Sequence, residues 1–207
     1  MTDAELSDLV LTAIECPWLD FCLPTQQRKE RRKERARVPP PVIPLDHATY
    51  RSDGACCATD RRGGWGAAYW APGGQGRGAS DENAYGHLGS SSTNNIAEYE
   101  GFRRALRRAV EAAAEPCVFE VDSQNVARQI NGVNACRDKT LTPVYDDCLR
   151  LLGILARREQ PWVVRHIYRE WNAVADSLAT RGTEPTLSTG GEVFLTCWKV
   201  GKSLSCL

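Results

Sequence analysis

The sequence predicts an α/β domain, a five-stranded mixed sheet with helices on both faces, and three observations carry that reading. Three strand-like segments come in succession, separated by glycine-rich turn signals. A long amphipathic helix follows them. Beyond it, short apolar runs alternate with helical patterns, as strand–helix crossovers require.

Each element can be justified in chain order. The first strand reads from Thr49 to Thr59, with Cys56 and Cys57 inside it, and is followed by Arg62-Gly63-Gly64. The second, Trp65 to Ala71, runs into APGGQGRG, a turn too rich in glycine to continue a strand. A third apolar segment spans about Ala84–Leu88. From Asn95 to about Ala114 the period becomes helical: Tyr99, Phe102, Leu106, Val110 and Ala113 form one stripe, and Arg103, Arg104, Arg107 and Arg108 take the other side. Pro116 ends that helix. Cys117–Val121 (CVFEV) is short and mostly apolar, consistent with a central strand. A helix is predicted over Ser123–Ile130 and another over Pro143–Arg158, with Val144, Cys148, Leu151, Leu152 and Leu155 inward. Trp162 to Tyr168 is the last strand, and Asn172 to Arg181 the last helix.

This domain covers residues 48–183, and the flanks differ from it. In residues 1–47, Thr2 and Glu5 have capping-box spacing ahead of Leu6, Leu9, Val10 and Ala13, which predicts a short amphipathic helix. A mixed-charge run follows from Arg28 to Arg37. Residues 21–45 hold seven basic and two acidic side chains, and VPPPVIP after the run must be extended. The run suits a solvated linker, or an arm that binds nucleic acid or a protein partner. Residues 184–207 form a C-terminal tail in which Glu192–Val200 is open between an added strand and a loose end.

Composition excludes several classes. Basic and acidic residues number 26 each, so the chain is not coated in positive charge, although a local patch is allowed. No apolar run nears the roughly 20 residues that span a bilayer, so no membrane partner is expected. The opening MTDAELSDLV lacks the cationic start and apolar stretch of a secretory signal. Nine cysteines occur without a CxxC pair, which suits free or buried thiols in a reducing compartment. The expected location is therefore intracellular, nucleus or cytoplasm, and the expected state a monomer.

The chemically informative residues are acids at element ends. Asp53 lies within the first strand, Glu98 in the first turn of the long helix, Asp122 at the end of CVFEV, and Asp176 in the last helix. Taken singly, such acids are usually caps or turn residues, and Asp122 suits the N-cap of a helix at Ser123. Asp53 is harder to place that way. A lone acid inside an apolar strand pattern costs several kcal/mol unless it is compensated. A cluster of carboxylates is a hard-oxygen site of the kind Mg²⁺ prefers.

Four segments together resemble the type 1 ribonuclease H pattern. They are Asp53-Gly54-Ala55, Thr93-Asn94-Asn95-Ile96-Ala97-Glu98-Tyr99, Val121-Asp122-Ser123, and His166 ten residues before Asp176. Gly63-Gly64-Trp65-Gly66 matches that family's glycine turn. The stretch His166–Ala179 is similar to the branch ending in H-x-x-R-E-x-N-x-x-A-D-x-L-A. The resemblance covers about residues 48–183 and implies the ribonuclease H-like fold.

It also implies roles. Asp53, Glu98, Asp122 and Asp176 match the metal-binding carboxylates, for two Mg²⁺ ions with Mn²⁺ able to substitute. His166 matches a mobile histidine that assists proton transfer or product departure. Asn94 and Asn95 match residues that read the minor groove of a hybrid duplex, and Thr93 one that touches a phosphate. Thr93 and the asparagines equally suit helix capping. Glu100 lies about 200° from Glu98 around a helix, so the two cannot serve one site. The implied substrate is an RNA–DNA hybrid whose RNA strand is cut to 5′-phosphate and 3′-hydroxyl ends. A non-catalytic nucleic-acid or protein binding module of the same fold is the alternative. The segment 131–140 carries only Arg137 and Lys139, and the domain holds 17 basic against 16 acidic residues. Phosphate affinity would then be modest, or supplied by the arm at Arg28–Arg37.

Overall fold

A computed structural model describes residues 42–112 and 115–184, the backbone of 195–197, and Gln26 and Glu30. Apart from Gln26 and Glu30, the expectations for residues 1–41, the Thr2–Glu5 capping box and the basic run among them, lie outside the described residues, as does Ala113 of the helical stripe.

The strands are β1 (Ala48–Cys56), β2 (Gly63–Trp70), β3 (Glu82–His87), β4 (Cys117–Val121), β5 (Trp162–His166) and a short β6 (Leu195–Cys197). The helices are α1 (Asn94–Glu111), α2 (Gln124–Ile130), α3 (Thr142–Arg157) and α4 (Ala173–Gly182), with a 3₁₀ turn at Arg169–Trp171 ahead of α4. The sheet order is β5-β4-β1-β2-β3-β6. β1, β2 and β3 form an antiparallel meander, while β4 and β5 join β1 in parallel. This is the predicted mixed sheet. Among the described residues the tail adds a sixth, three-residue strand to the five predicted, with Asn83 opposite Cys197 and Tyr85 opposite Leu195.

Boundaries moved by one to three residues. β1 stops at Cys56, so Cys57 lies outside the strand, and β5 stops at His166 instead of Tyr168. α2 starts at Gln124 because Ser123, not Asp122, is its N-cap, its Oγ accepting from the Val126 amide. That corrects the expected capping role of Asp122 and leaves its carboxylate available to the site. Among the described residues Cys56, Cys57, Cys117, Cys136 and Cys148 are free thiols.

One face of the sheet holds the main core. Tyr50 and Phe119 stack at 5.1 Å, and Phe102 of α1 meets Phe119 edge-on. Leu106, Leu151, Leu155, Val126 and Val164 complete this layer. α4 covers the other face, where Leu178 packs with Ala68 and Trp70. Two arginines of α1, on the side away from the apolar stripe, are packed against the sheet. Arg104 lies over the Trp65 ring at 5.0 Å, and Arg108 lies over Tyr69 at 4.9 Å while pairing with Glu82 at 2.6 Å. Their long stems cover aromatic sheet surface that α1 itself leaves open.

The closest approach of α1 to β1 positions the site. A Cβ on Gly54 would fall 2.0 Å from the Glu98 nitrogen and 2.1 Å from the Ala97 carbonyl carbon, both backbone atoms. Only glycine lets the first turn of the helix dock beside Asp53. Gly54→Ala must push α1 off β1, and overpacking of this kind costs about 3 kcal/mol or more. Chemical denaturation should read that loss; unchanged stability would mean that the contact is looser than described.

Candidate active site

β1 and β4 are adjacent and parallel, so Asp53 and Asp122 emerge at the same end of the sheet, Asp122 one residue past the end of β4. α1 begins above that end and brings Glu98 into the same cleft. Asp53, Glu98 and Asp122 line one open cleft with Asn94, Cys56 and Arg169. Asp176, in the first turn of α4, is close enough that its charge bears on both Asp53 and Asp122. The structure therefore brings together all four acids singled out in the sequence.

Each carboxylate has a defined local partner. The Gly54 amide donates to Asp53 Oδ1 at 2.7 Å. Glu98 accepts from Asn94 Nδ2 at 2.7 Å and from Ser123 Oγ at 2.5 Å. Asp122 Oδ1 accepts from Asn172 Nδ2 at 3.0 Å. Asp176 is ion-paired with Arg169. Glu100, two residues beyond Glu98, points away and is buried between Arg103 and Arg104, at 2.6 and 2.8 Å.

The electrostatics are those of crowded acids. Burial pushes the Asp53 carboxyl up to about 8, with the Asp122 charge adding to it and the Gly54 amide opposing. Burial raises Glu98 to about 7 against the Ser123 hydrogen bond. Asp122 is also raised, by burial first, with the Asn172 bond opposing. Arg169 loses solvation here, but its hydrogen bond to Asp176 and the charges of Asp53 and Asp122 hold its own pKa above the ordinary value.

Arg169 goes beyond the sequence expectation. Its guanidinium sits among the four acids and is their counter-charge, a role the sequence reading gave to no residue. Ser123 and Asn172 are the other contributors whose roles went unseen. All three stand within the quoted segments Val121-Asp122-Ser123 and His166–Ala179. The visible signal was an amide and a guanidinium placed four and seven residues before Asp176, one helical turn and two turns back.

Of the remaining predicted residues, Asn94 lines the cleft. Thr93 is the N-cap of α1, its Oγ1 accepting from the Ile96 amide at 3.2 Å. Asn94 and Asn95 are exposed in the first turn. His166 closes β5 opposite Val121, with its ring edge-on to Tyr168 at 6.0 Å.

Among the described residues, no three His, Cys, Asp or Glu side chains are yet drawn around one ion position. Glu98 is turned to Ser123 and Asn94, and Asp176 to Arg169. The donor set nonetheless suits a hard divalent cation. It is oxygen only, half-buried or buried, and holds more acids than Arg169 alone balances, with burial first and neighbouring acids second raising Asp53, Glu98 and Asp122.

A mixed sheet flanked by helices, with an acidic cleft at the end of its two parallel central strands, defines a nuclease-type hydrolase of the ribonuclease H-like class. A family described as reverse transcriptase-like matches residues 51–182. Ribonuclease H of Cupriavidus necator is 37% identical over 152 residues, 68% of this chain and 97% of that protein. The chain belongs to the type 1 ribonuclease H family and is an enzyme of that family. RNase H1 of the archaeon Halobacterium salinarum NRC-1 superposes with a TM-score of 0.57 at 25% identity, over 66% of this chain and 96% of its own. LC11-RNase H1, isolated from compost by a metagenomic approach, was solved in complex with an RNA/DNA hybrid. It superposes with a TM-score of 0.55 at 25% identity, over 66% of this chain and 96% of that one. Among the described residues no helix is long and apolar enough to cross a membrane.

Proposed function

We propose that this protein is a metal-dependent endoribonuclease that hydrolyses the RNA strand of RNA–DNA hybrids, leaving 5′-phosphate and 3′-hydroxyl ends. The observation that carries the reading is the convergence of Asp53, Glu98 and Asp122 in one open cleft rimmed by Asn94, with Asp176 alongside. The solved complex of LC11-RNase H1 with a hybrid supports the substrate class.

Asp53, Glu98, Asp122 and Asp176 would hold two divalent ions, Mg²⁺ or Mn²⁺. Such a pair supplies an activated water and stabilises the departing 3′-oxygen in an in-line displacement. The chain's own residues do the rest. Asn172 and Ser123 orient Asp122 and Glu98, so that the carboxylates need not be ordered when substrate arrives. Asn94 and Asn95, exposed at the start of α1, present amide groups that can bond a ribose 2′-hydroxyl, the atom that distinguishes RNA from DNA. Thr93 can cap α1 and face a phosphate at once. His166, which ends β5 opposite Val121, the residue before Asp122, would assist proton transfer.

One assay tests the reading. Labelled RNA–DNA hybrid, duplex RNA and duplex DNA are incubated with Mg²⁺ and with chelator. Cleavage of the hybrid alone, and only with metal, is expected. Binding without cleavage would replace the proposal with a binding module.

His166 should behave as a helper and not as a ligand. His166→Ala is expected to slow turnover about 100-fold or more, on the scale of general acid–base assistance, while calorimetric Mg²⁺ affinity stays unchanged. A collapse of metal affinity would reassign the residue.

A further inference from the structure

We infer that Arg51 is a positioning residue for the acidic cleft, acting through the Arg169–Trp171 turn on Asp122 and Asp176. The inference rests on reading that cleft as the catalytic centre, but its own geometry is independent of any metal.

Arg51 precedes Asp53 by two residues on β1 and is buried. Its Nε donates to Glu120 Oε2 at 2.7 Å, and its Nη1 donates to the Trp171 carbonyl at 2.7 Å. The guanidinium lies over the Trp70 ring at 5.1 Å. On its open side the chain passes at Gly76, whose φ is +65°, and where a Cβ would come within 2.9 Å of Nη2. Glu120 is 0% exposed, and its other oxygen takes bonds from Arg165 Nη2 at 2.6 Å and Nε at 3.0 Å.

Two cations around one buried anion are a poor stability device, because apolar side chains of similar volume commonly do as well. The arrangement does fix one carbonyl. Trp171 ends the 3₁₀ turn, and each end of that turn holds a carboxylate. Asn172, the next residue, is fully buried and donates Nδ2 to the Ser52 carbonyl and to Asp122 Oδ1, both at 3.0 Å. Arg169, at the start, pairs with Asp176, and its carbonyl accepts from the Asn172 amide at 3.0 Å. Pinning the Trp171 carbonyl therefore pins both partners. The task needs a planar fork that meets Glu120 and a carbonyl in one orientation, which a lysine ammonium cannot reproduce.

The test uses the full chain with Arg51→Met, which leaves Glu120 paired with Arg165, and Arg51→Lys, which keeps the charge and serves if the first variant fails to fold. Three quantities are read: the Asn172 side-chain amide signals by ¹⁵N NMR in metal-free buffer, Mg²⁺ affinity by calorimetry, and kcat and KM on a hybrid. Expected for Arg51→Met are loss of the shifted Asn172 amide pair, an approximately tenfold weaker Mg²⁺ affinity, and an approximately tenfold lower kcat at limiting Mg²⁺. KM should be unchanged, kcat should recover as Mg²⁺ is raised, and Arg51→Lys should not rescue. Lowered stability with unchanged Asn172 signals and unchanged Mg²⁺ affinity would overturn the inference and make Arg51 merely structural. Should the wild-type protein neither bind Mg²⁺ nor cut hybrid, the catalytic reading of the cleft fails, and the Asn172 signals alone decide whether Arg51 places that side chain.

Discussion

Replacing Asp53 with asparagine should abolish hybrid cleavage, by at least about 1,000-fold, the scale on which a preorganised charge at a reacting centre is lost. The same change should stabilise the metal-free protein. Asp53 is buried, faces Asp122, and has its pKa raised to about 8. A carboxyl whose folded pKa lies above its unfolded value favours folding only when protonated. Its ionisation therefore burdens the fold fully above about pH 8, and the burden lifts as pH falls from there toward the ordinary carboxylate range near 4. Glu98, raised to about 7, contributes in the same direction over a narrower window. Metal-free wild-type protein should thus gain stability as pH is lowered from about 8.5 to about 5.5, the reverse of common acid destabilisation. In Asp53→Asn the new side-chain amide would carry no charge, yet its oxygen could still accept from the Gly54 amide. At pH 8 the variant's Tm should rise by about 5 °C, the shift that roughly 2 kcal/mol makes in a domain of this size. Circular-dichroism melts across that pH range, with and without Mg²⁺, measure both effects. A wild-type Tm that falls steadily on acidification, or a variant that still cleaves, would defeat the account.

The second large effect separates two glutamates two positions apart. Glu98→Gln should slow cleavage at least about 100-fold, because it removes a charge from the cleft while Asn94 and Ser123 still hold the side chain. Glu100→Gln should leave the rate within about threefold. Its cost falls on stability, about 1–3 kcal/mol, because Arg103 and Arg104 lose the buried anion between them. Paired measurements of kcat and of urea midpoints give opposite profiles for the two variants. Similar profiles would mean that the helix presents both groups to one site.

Legibility varied by residue for physical reasons. Strand and helix existence followed from periodicity, because burial of one face repeats every two or 3.6 residues whatever the neighbours are. Of the four acids only Asp53 was legible as an anomaly, and the other three joined it through the resemblance of their motifs. An acid in an apolar strand must be compensated, and Asp53 was visible on that ground alone. Capping was less legible: Asp122 and Ser123 are both good caps, and only the position of β4 beside β1 sends the aspartate to the cleft and leaves the serine to α2. The α1 arginines show a different limit, because charge repeating along one helix face does not say whether that face meets water or protein. That depends on what lies across from it, here Trp65, Tyr69 and Glu82.

By itself, then, the sequence determined the order and type of the elements and the separation of Glu98 from Glu100, since these depend on local period and residue chemistry, and its motifs singled out the four carboxylates by their resemblance to a known pattern. Tertiary structure alone decided how the carboxylates are held. Arg169 meets Asp176, Asn172 reaches across 50 residues to Asp122, and Arg51 reaches across 120 to the turn that carries both. Such bonds join groups far apart in the chain, and no local pattern encodes a partner that only strand order brings within 3 Å.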